Sequence, residues 1–175
     1  MLTIPHVLTR RAFVAQAGQG LSGLALAGAF APASASAAKN LKQLITDFYA
    51  VYESLEVEKL LGFYAEDCRL DDPTFHFKVE GKEKLRALFA RQRPLFLSVK
   101  FEIKTLLLSG PHAISQHIQT GLIKPSLVRP ESPPEAAPLR YVVEGISLFE
   151  FAREKIKRQT DFYDVLTFRQ QSGLS

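Results

Sequence analysis

The chain has 175 residues, a length that suits one domain, and 46% of them are hydrophobic, with 13 Phe and no Trp. The formal net charge is +4, but the Lys and Arg residues are scattered among acids and form no stripe that suits nucleic acid. The single cysteine, Cys68, excludes a disulfide within the chain. The composition therefore predicts one aromatic-rich globular domain and argues against a nucleic-acid partner.

Residues 1–37 differ in composition from the rest of the chain. Arg10 and Arg11 precede a Gly- and Ala-rich apolar run without charge, which ends in small residues with Ala-x-Ala spacing. That order predicts a signal peptide, and the paired arginines resemble the twin-arginine export signal. We expect a periplasmic or secreted domain at residues 38–170, with no stable membrane anchor after cleavage. An uncleaved anchor or a dispensable Ala-rich tail is the alternative.

Helical patterns come first in the predicted domain. Apolar residues recur every three or four positions in residues 39–53, which predicts an amphipathic helix. Ser54 suits the N-cap of a short second helix that includes Tyr64, and the proline after Asp72 ends any helix. Gly81 then precedes a third helical pattern.

Patterns with a period of two follow and predict strands. A short strand is predicted at residues 75–79, and longer ones at 99–108, 113–123, 139–151 and 156–168. Residues 124–138 hold five prolines and cannot join the interior of a sheet, so they predict an extended loop. Helices followed by antiparallel strands predict an α+β fold, with three N-terminal helices packed on a curved, mostly antiparallel sheet. Such a curved sheet leaves a cavity that suits a small molecule.

Three segments carry a family resemblance when they are taken together. They are "LITDFYAVYESLEVEKLLGFYAEDCRLDDP", "VEGKEKLRALF" and "GISLFEFAREKIKRQTDFYD". Their order and spacing over residues 40–168 resemble the nuclear-transport-factor-2-like (cystatin-like) superfamily, and within it the SnoaL-like polyketide cyclases and ketosteroid isomerases. The resemblance implies a cone-shaped fold, but this fold hosts enzymes, binding modules and dimerisation domains.

The resemblance to ketosteroid isomerases places one catalytic residue and removes others. Asp72 stands where those enzymes have the base that carries a proton on the substrate. The positions of their hydroxyl and carboxyl donors fall on Phe48, Phe89 and Ser147, and only Tyr64 keeps its hydroxyl. Because each donor of an oxyanion hole contributes roughly 3–4 kcal/mol, steroid isomerisation by the familiar mechanism is not expected.

The resemblance to SnoaL-like cyclases points to a second acid. Asp161 stands where those enzymes carry an acid/base aspartate on the last strand. A period of two then places Gln159, Asp161 and Tyr163 on one face of that strand, and the resemblance implies that this face is turned toward the cavity. Ser147 and Phe149 are expected to face the same cavity from the neighbouring strand.

Each of these acids also has a structural interpretation. Asp72 before proline is typical of a turn in which the carboxylate caps backbone amides. Asp161 could instead lie on the surface and pair with Arg158 or Lys157. A metal site built on Asp71, Asp72 and His76 is disfavoured, because the Asp-Asp-Pro segment directs its acids apart; no metal and no cofactor are predicted.

Two functions remain open from the sequence. One is a cofactor-free isomerase, cyclase, hydratase or dehydratase that acts on a small hydrophobic carbonyl compound, with Asp72 and Asp161 carrying protons. The other is a small-ligand-binding or dimerisation module of the same fold without catalysis. In either case we expect a hydrophobic ligand, and the resemblance implies a homodimer that forms through the open face of the sheet.

Overall fold

A computed structural model describes residues 35–133 and 135–173 of the chain. The first 34 residues, and with them most of the predicted signal peptide, lie outside the described part, so export stays a prediction. No helix of the described part has both the length and the apolar character needed to cross a membrane.

Three helices are found among the first sixty described residues. Helix α1 spans Ala35–Ser54, α2 spans Val57–Leu61 and α3 spans Lys82–Gln92. The apolar face predicted for α1 is buried, with Ile45 and Phe48 at most 2% exposed. Helix α3 follows Gly81, whose φ of 88° suits glycine because it has no Cβ.

A curved, mixed sheet of six strands covers these helices. The strands are β1 (Tyr64–Asp72), β2 (Phe77–Glu80), β3 (Phe96–Ser109), β4 (His112–Ile123), β5 (Leu139–Ala152) and β6 (Lys155–Tyr163). Their order across the sheet is β2-β1-β6-β5-β4-β3. Strands β1 and β6 are parallel, whereas every other neighbouring pair is antiparallel. The α+β class is as predicted.

The expected helix that includes Tyr64 is wrong, because Tyr64 begins strand β1. From Cys68 to Asp72 buried and half-exposed residues alternate, and β1 lies between β2 and β6, so the backbone is paired on both sides. The side chains of Glu66 and Asp67 are exposed. Because these two acids are adjacent, they interrupt the alternation of apolar and polar residues by which a strand is predicted from sequence. Strands β1 and β2 also separate α3 from the first two helices, so a block of three N-terminal helices is not confirmed.

The last predicted strand is too long. Strand β6 ends at Tyr163, and helix α5 (Val165–Ser172) follows it. The carboxylate of Asp164 caps this helix and accepts a hydrogen bond of 3.1 Å from the backbone N–H of Thr167. Helix α5 brings Phe168 against Tyr141 of β5, with ring centroids 5.0 Å apart.

The proline-rich segment from 124 to 138 joins β4 to β5. It begins with a short helix, α4 (Pro125–Val128), and its other described residues belong to no strand. The prediction that this segment stays out of the sheet is confirmed.

Two hydrophobic clusters fill the space on the inner face of the sheet. The larger cluster joins α1, α2 and α3 to the sheet and includes Ile45, Phe48 and Phe149. The smaller one, which includes Tyr141, Val143 and Phe168, lies under α5. Side chains from both clusters line the cavity described next.

Candidate functional site

A cavity of about 260 Å³ lies where the two hydrophobic clusters meet. Its walls are mainly apolar, with seven aromatic side chains, and come from α1, α3, α5 and all six strands. Its charged and amide-bearing members are Asp72, Asp161, Gln92, Gln119 and Gln159. Its other members are Tyr52, Leu70, Phe75, Phe77, Phe89, Leu95, Phe96, Val143, Tyr163 and Phe168. A concave, apolar site with a few convergent polar groups is typical of small-molecule binding.

Asp161 is a buried acid on β6 whose carboxylate faces this cavity. Its Oδ1 accepts a hydrogen bond of 2.6 Å from the Ser147 hydroxyl, and its Oδ2 accepts one of 2.8 Å from Gln159 Nε2. Burial raises the pKa of Asp161 from 3.8 to about 7, although these two donors lower it; the charge of Asp72 adds a smaller upward effect. Asp161 can therefore hold or release a proton near neutral pH.

Gln159 connects Asp161 to the hydroxyl of Tyr64. The Tyr64 hydroxyl donates a hydrogen bond of 2.6 Å to Gln159 Oε1, and the amide nitrogen of Gln159 then points at Asp161. Tyr64 is fully buried and does not line the cavity, so the structure gives it a role through Gln159 and no place in the cavity wall.

Asp72 is the last residue of β1; its carboxylate caps a turn and also lines the cavity. Its Oδ1 accepts hydrogen bonds from the backbone N–H groups of Thr74 and Phe75, both at 3.0 Å, and from the Thr74 hydroxyl at 2.6 Å. This is the amide-capping turn that the sequence left open. Asp72 also lines the cavity, one residue beyond the register pair of Asp71 and Thr160, which places it beside Asp161 in the parallel strands.

Asp71 lies on the other face of β1, as alternation along a strand requires. It is half-buried and accepts a hydrogen bond of 2.6 Å from Arg69. The two neighbouring acids, Asp71 and Asp72, are thus directed apart. Within the described residues, no group of three His, Cys, Asp or Glu side chains could hold a metal ion.

The other sequence-predicted site residues divide between the cavity and the core. Phe89 and Tyr163 line the cavity. Phe48 and Phe149 do not line it; they pack against each other in the larger cluster, with ring centroids 5.5 Å apart. Ser147 also lies outside the cavity wall, behind Asp161, to which it donates its hydroxyl.

Several cavity residues were not predicted from the sequence. Tyr52 lies one helical turn after Phe48, and that spacing was available as a signal. Phe168 could not be found because α5 was not predicted, and Gln119 carries no motif. The remaining unpredicted residues are Leu70, Phe75, Phe77, Gln92, Leu95, Phe96 and Val143.

His117 lies on β4 and is fully buried. Its Nδ1 is 3.2 Å from the hydroxyl of Tyr49, and its Nε2 has no hydrogen-bond partner among the described residues. Burial lowers the pKa of His117 to about 4, so the ring is neutral at pH 7. It is a core histidine and does not line the cavity.

The curved sheet, the helices beneath it and the acid-bearing cavity define an α+β domain with an internal cavity. The family model of the SnoaL-like domain matches residues 45–159, and the chain therefore belongs to the SnoaL-like domain family. No curated protein matches the chain.

Solved structures share this fold. One is a protein from Shewanella denitrificans OS-217 proposed to be a SnoaL-like polyketide cyclase, with a TM-score of 0.65 and 18% identity over 74% of this chain and 94% of that one. Another is a protein with a ketosteroid-isomerase-like fold from Catenulispora acidiphila DSM 44928, in complex with trimethylamine, with a TM-score of 0.63 and 21% identity over 75% of this chain and 93% of that one. A third, from Bacillus subtilis and proposed to be an isomerase, has a TM-score of 0.62 and 17% identity over 76% and 92%.

Proposed function

We propose that this protein is a cofactor-independent acid/base enzyme that moves a proton on a small hydrophobic carbonyl compound bound in the cavity. The observation that carries the proposal is Asp161, a cavity-facing carboxyl group with a pKa of about 7. General acid–base catalysis works best when the pKa of the catalytic group lies near the working pH. Isomerisation, cyclisation and dehydration next to a carbonyl group all need such a group.

In this mechanism the Asp161 carboxylate removes a proton from the carbon next to the substrate carbonyl. Electron density moves from the broken C–H bond to the carbonyl oxygen and forms an enolate, and the protonated Asp161 then returns the proton to another carbon or to a leaving hydroxyl group. Ser147 and Gln159 hold the carboxylate in place through their hydrogen bonds. Asp72 is the second proton carrier of the proposal, since it lies beside Asp161 in the same cavity.

The enolate oxygen needs hydrogen-bond donors, and the positions that supply them in ketosteroid isomerases are Phe48, Phe89 and Ser147 here. We assign this role to Tyr52 and Tyr163, which both line the cavity. Burial raises the pKa of each phenol above its ordinary value, so both hydroxyls stay protonated and can donate.

The test is hydrogen–deuterium exchange at the carbon next to the carbonyl of benzylacetone in heavy water, followed by proton NMR. Wild-type protein should accelerate the exchange, with a pH profile that has its midpoint near 7. Asp161→Asn should lower the rate by about 10²–10⁴-fold, the usual contribution of a general acid/base, and should leave the affinity for benzylacetone within a few-fold. Asp71→Asn, which removes the neighbouring acid on the other face of β1, should change neither.

Equal exchange rates for wild type and Asp161→Asn would contradict the catalytic role. The second candidate function is a binding module without catalysis, which the missing donors at Phe48 and Phe89 favour. Benzylacetone that binds and stabilises the protein without any exchange would support this second function.

We also propose that the domain is exported and forms a homodimer. The proposal of export rests on the composition of residues 1–37. A mass measurement of the mature protein after export would show whether these residues are removed. The proposal of a homodimer rests on an apolar patch of exposed side chains on the outer face of the sheet.

A further inference from the structure

The charge of the cavity restricts its ligand. Asp72 and Asp161 line the cavity, and among the described residues that line it there is no Lys, Arg or His. Neither acid takes part in a salt bridge within the described part of the chain. An anionic ligand would meet like charges in an apolar space, where Coulomb repulsion is weakly screened.

The volume of the cavity restricts its ligand as well. A volume of about 260 Å³ lies just below the range of about 300–1,000 Å³ that is typical of small-molecule sites. A compact ligand, such as one ring with a short side chain, suits a site at the small end of this range.

Gln119 supplies a second polar end, far from the acids. It pairs with Val143 across β4 and β5, whereas Asp161 pairs with Ser147 across β6 and β5. Two strand spacings and four residues along β5 put the backbones of Gln119 and Asp161 on the order of 15 Å apart. Both side chains face the same cavity between these points.

The amide of Gln119 has hydrogen-bonding capacity to spare. Its one hydrogen bond within the described residues joins Nε2 to the Tyr141 hydroxyl at 2.8 Å. A side-chain amide has both a carbonyl acceptor and an NH₂ donor, so either orientation of the amide leaves one polar atom for the cavity. Gln119 is only 8% exposed, and it is not among the described residues with a fully buried, unpartnered side-chain atom. Because Gln119 lines the cavity, a ligand group there can bond this atom in place of water.

We propose that the cavity binds an uncharged, ring-sized ligand with two hydrogen-bonding ends: the carbonyl end lies at Asp161, and a hydroxyl or amide at the other end is bound by Gln119. The carbonyl end rests on the proposed function. The far end and the exclusion of anions rest on the cavity alone.

The test compares three probes that differ at one position, namely benzylacetone, para-hydroxybenzylacetone and para-carboxybenzylacetone, by calorimetric titration at pH 8. The wild-type protein should bind the hydroxyl probe about tenfold more tightly than benzylacetone, and the carboxylate probe at least tenfold more weakly. Gln119→Leu should abolish the advantage of the hydroxyl probe and leave the affinity for benzylacetone within about twofold. A second variant, Gln119→Met, should behave in the same way if either variant folds poorly.

Two control variants separate Gln119 from its surroundings. Tyr141→Phe removes the partner of Gln119 and keeps the amide, and Gln92→Leu removes another amide of the cavity wall; both should keep the advantage of the hydroxyl probe. The proposal is overturned if wild type binds the hydroxyl probe no better than benzylacetone, binds the carboxylate probe equally well, or binds none of the three. It is also overturned if Gln92→Leu, and not Gln119→Leu, abolishes the advantage.

The outcome is independent of catalysis. Probes that bind in the expected order but undergo no exchange with Asp161 would contradict the proposed function and leave this inference standing. Exchange that depends on Asp161, without any effect of Gln119, would do the reverse.

Discussion

Two opposing effects set the pKa of Asp161. The hydrogen bonds from Ser147 and Gln159 stabilise its negative charge, while burial in an aromatic cavity destabilises that charge more strongly. The result is a pKa of about 7. Adding or removing a single hydrogen-bond donor should therefore change the fraction of Asp161 that is protonated near neutral pH.

Tyr64→Phe tests this balance without touching the cavity wall. The variant removes the donor that holds Gln159 Oε1, so the amide can turn and present its carbonyl to Asp161. A carbonyl accepts a hydrogen bond from a protonated carboxyl group and repels a carboxylate, so the pKa of Asp161 should rise. The free energy of unfolding should fall by about 1–3 kcal/mol, since a buried amide oxygen loses its partner.

The measurement is a carbon-13 NMR titration of the Asp161 carboxyl carbon, assigned by its loss in Asp161→Asn. Tyr141→Phe is the matched control. It also removes a buried phenol hydroxyl, but one that is hydrogen-bonded to Gln119, so the pKa of Asp161 should not change. An unchanged pKa of Asp161 in Tyr64→Phe would show that Gln159 does not depend on Tyr64 for its orientation.

At this scale the sequence predicted the two acids of the cavity and two of their neighbours. Asp72, Asp161, Gln159 and Tyr163 all line the cavity. The family resemblance pointed to the two acids, since β1 was not predicted as a strand, and alternation along β6 placed Gln159 and Tyr163 on the same face as Asp161. Gln119 was out of reach, since its position depends on how far the sheet curves, and alternation within one strand does not give that curvature.

At the scale of elements, the long strands were the easiest to predict. They are long runs rich in β-branched and aromatic residues and bounded by turn signals. In β5 buried and exposed residues alternate over most of its length. Strand β1 was missed because its residues 65–67 include two exposed acids and because its pairing with β6 is irregular between Tyr64 and Arg69. Helix α5 was missed because the apolar residues of 162–168 fit a strand about as well as a short helix.

The outer face of the sheet carries an apolar patch that we define as Leu107, Ile114, Ile146, Leu148 and Phe162. These side chains are 39–60% exposed. The register joins Leu107 to Ile114, Ile114 to Leu148, and Ile146 to Phe162, so the patch is continuous across β3, β4, β5 and β6. Contiguous exposed apolar patches are typical of interaction sites, and the proposed dimer would cover this one with the same residues of a second copy.

Ile146→Lys, in the middle of this patch, should convert the dimer into a monomer. Association would bury an ammonium group without a partner in an apolar interface, and the desolvation cost of that charge should prevent the dimer from forming. Analytical ultracentrifugation at several protein concentrations would measure the change. Leu166→Lys places the same charge on α5, where Leu166 is 70% exposed, and should leave the dimer intact. A wild-type protein that is monomeric at high concentration would contradict the dimer.

The whole molecule combines an apolar interior with two buried ionisable groups that respond to pH in opposite directions. The pKa of Asp161 is raised from 3.8 to about 7 in the fold, and the pKa of His117 is lowered from 6.5 to about 4, in both cases mainly by burial. Folding therefore favours the neutral form of each group. Asp161 adds stability that is fully present below about pH 4 and is lost as the pH rises to about 7. His117 adds stability that is present above about pH 6.5 and is lost as the pH falls to about 4.

Between about pH 4 and 6.5 the two effects should nearly cancel in the wild-type protein, since each alone changes the free energy of unfolding by about 1.4 kcal/mol per pH unit. Asp161→Asn should make stability rise with pH more steeply than in wild type over this range, because only the His117 effect remains. His117→Asn, which keeps a polar atom near the Tyr49 hydroxyl, should make it fall with pH, and the double variant should return to the wild-type slope. Urea unfolding followed by circular dichroism measures these slopes, and the comparison of slopes is insensitive to any uniform loss of stability in a variant. If Asp161→Asn has the same slope as wild type, Asp161 has no raised pKa, and the proposed proton transfer loses the property on which it depends.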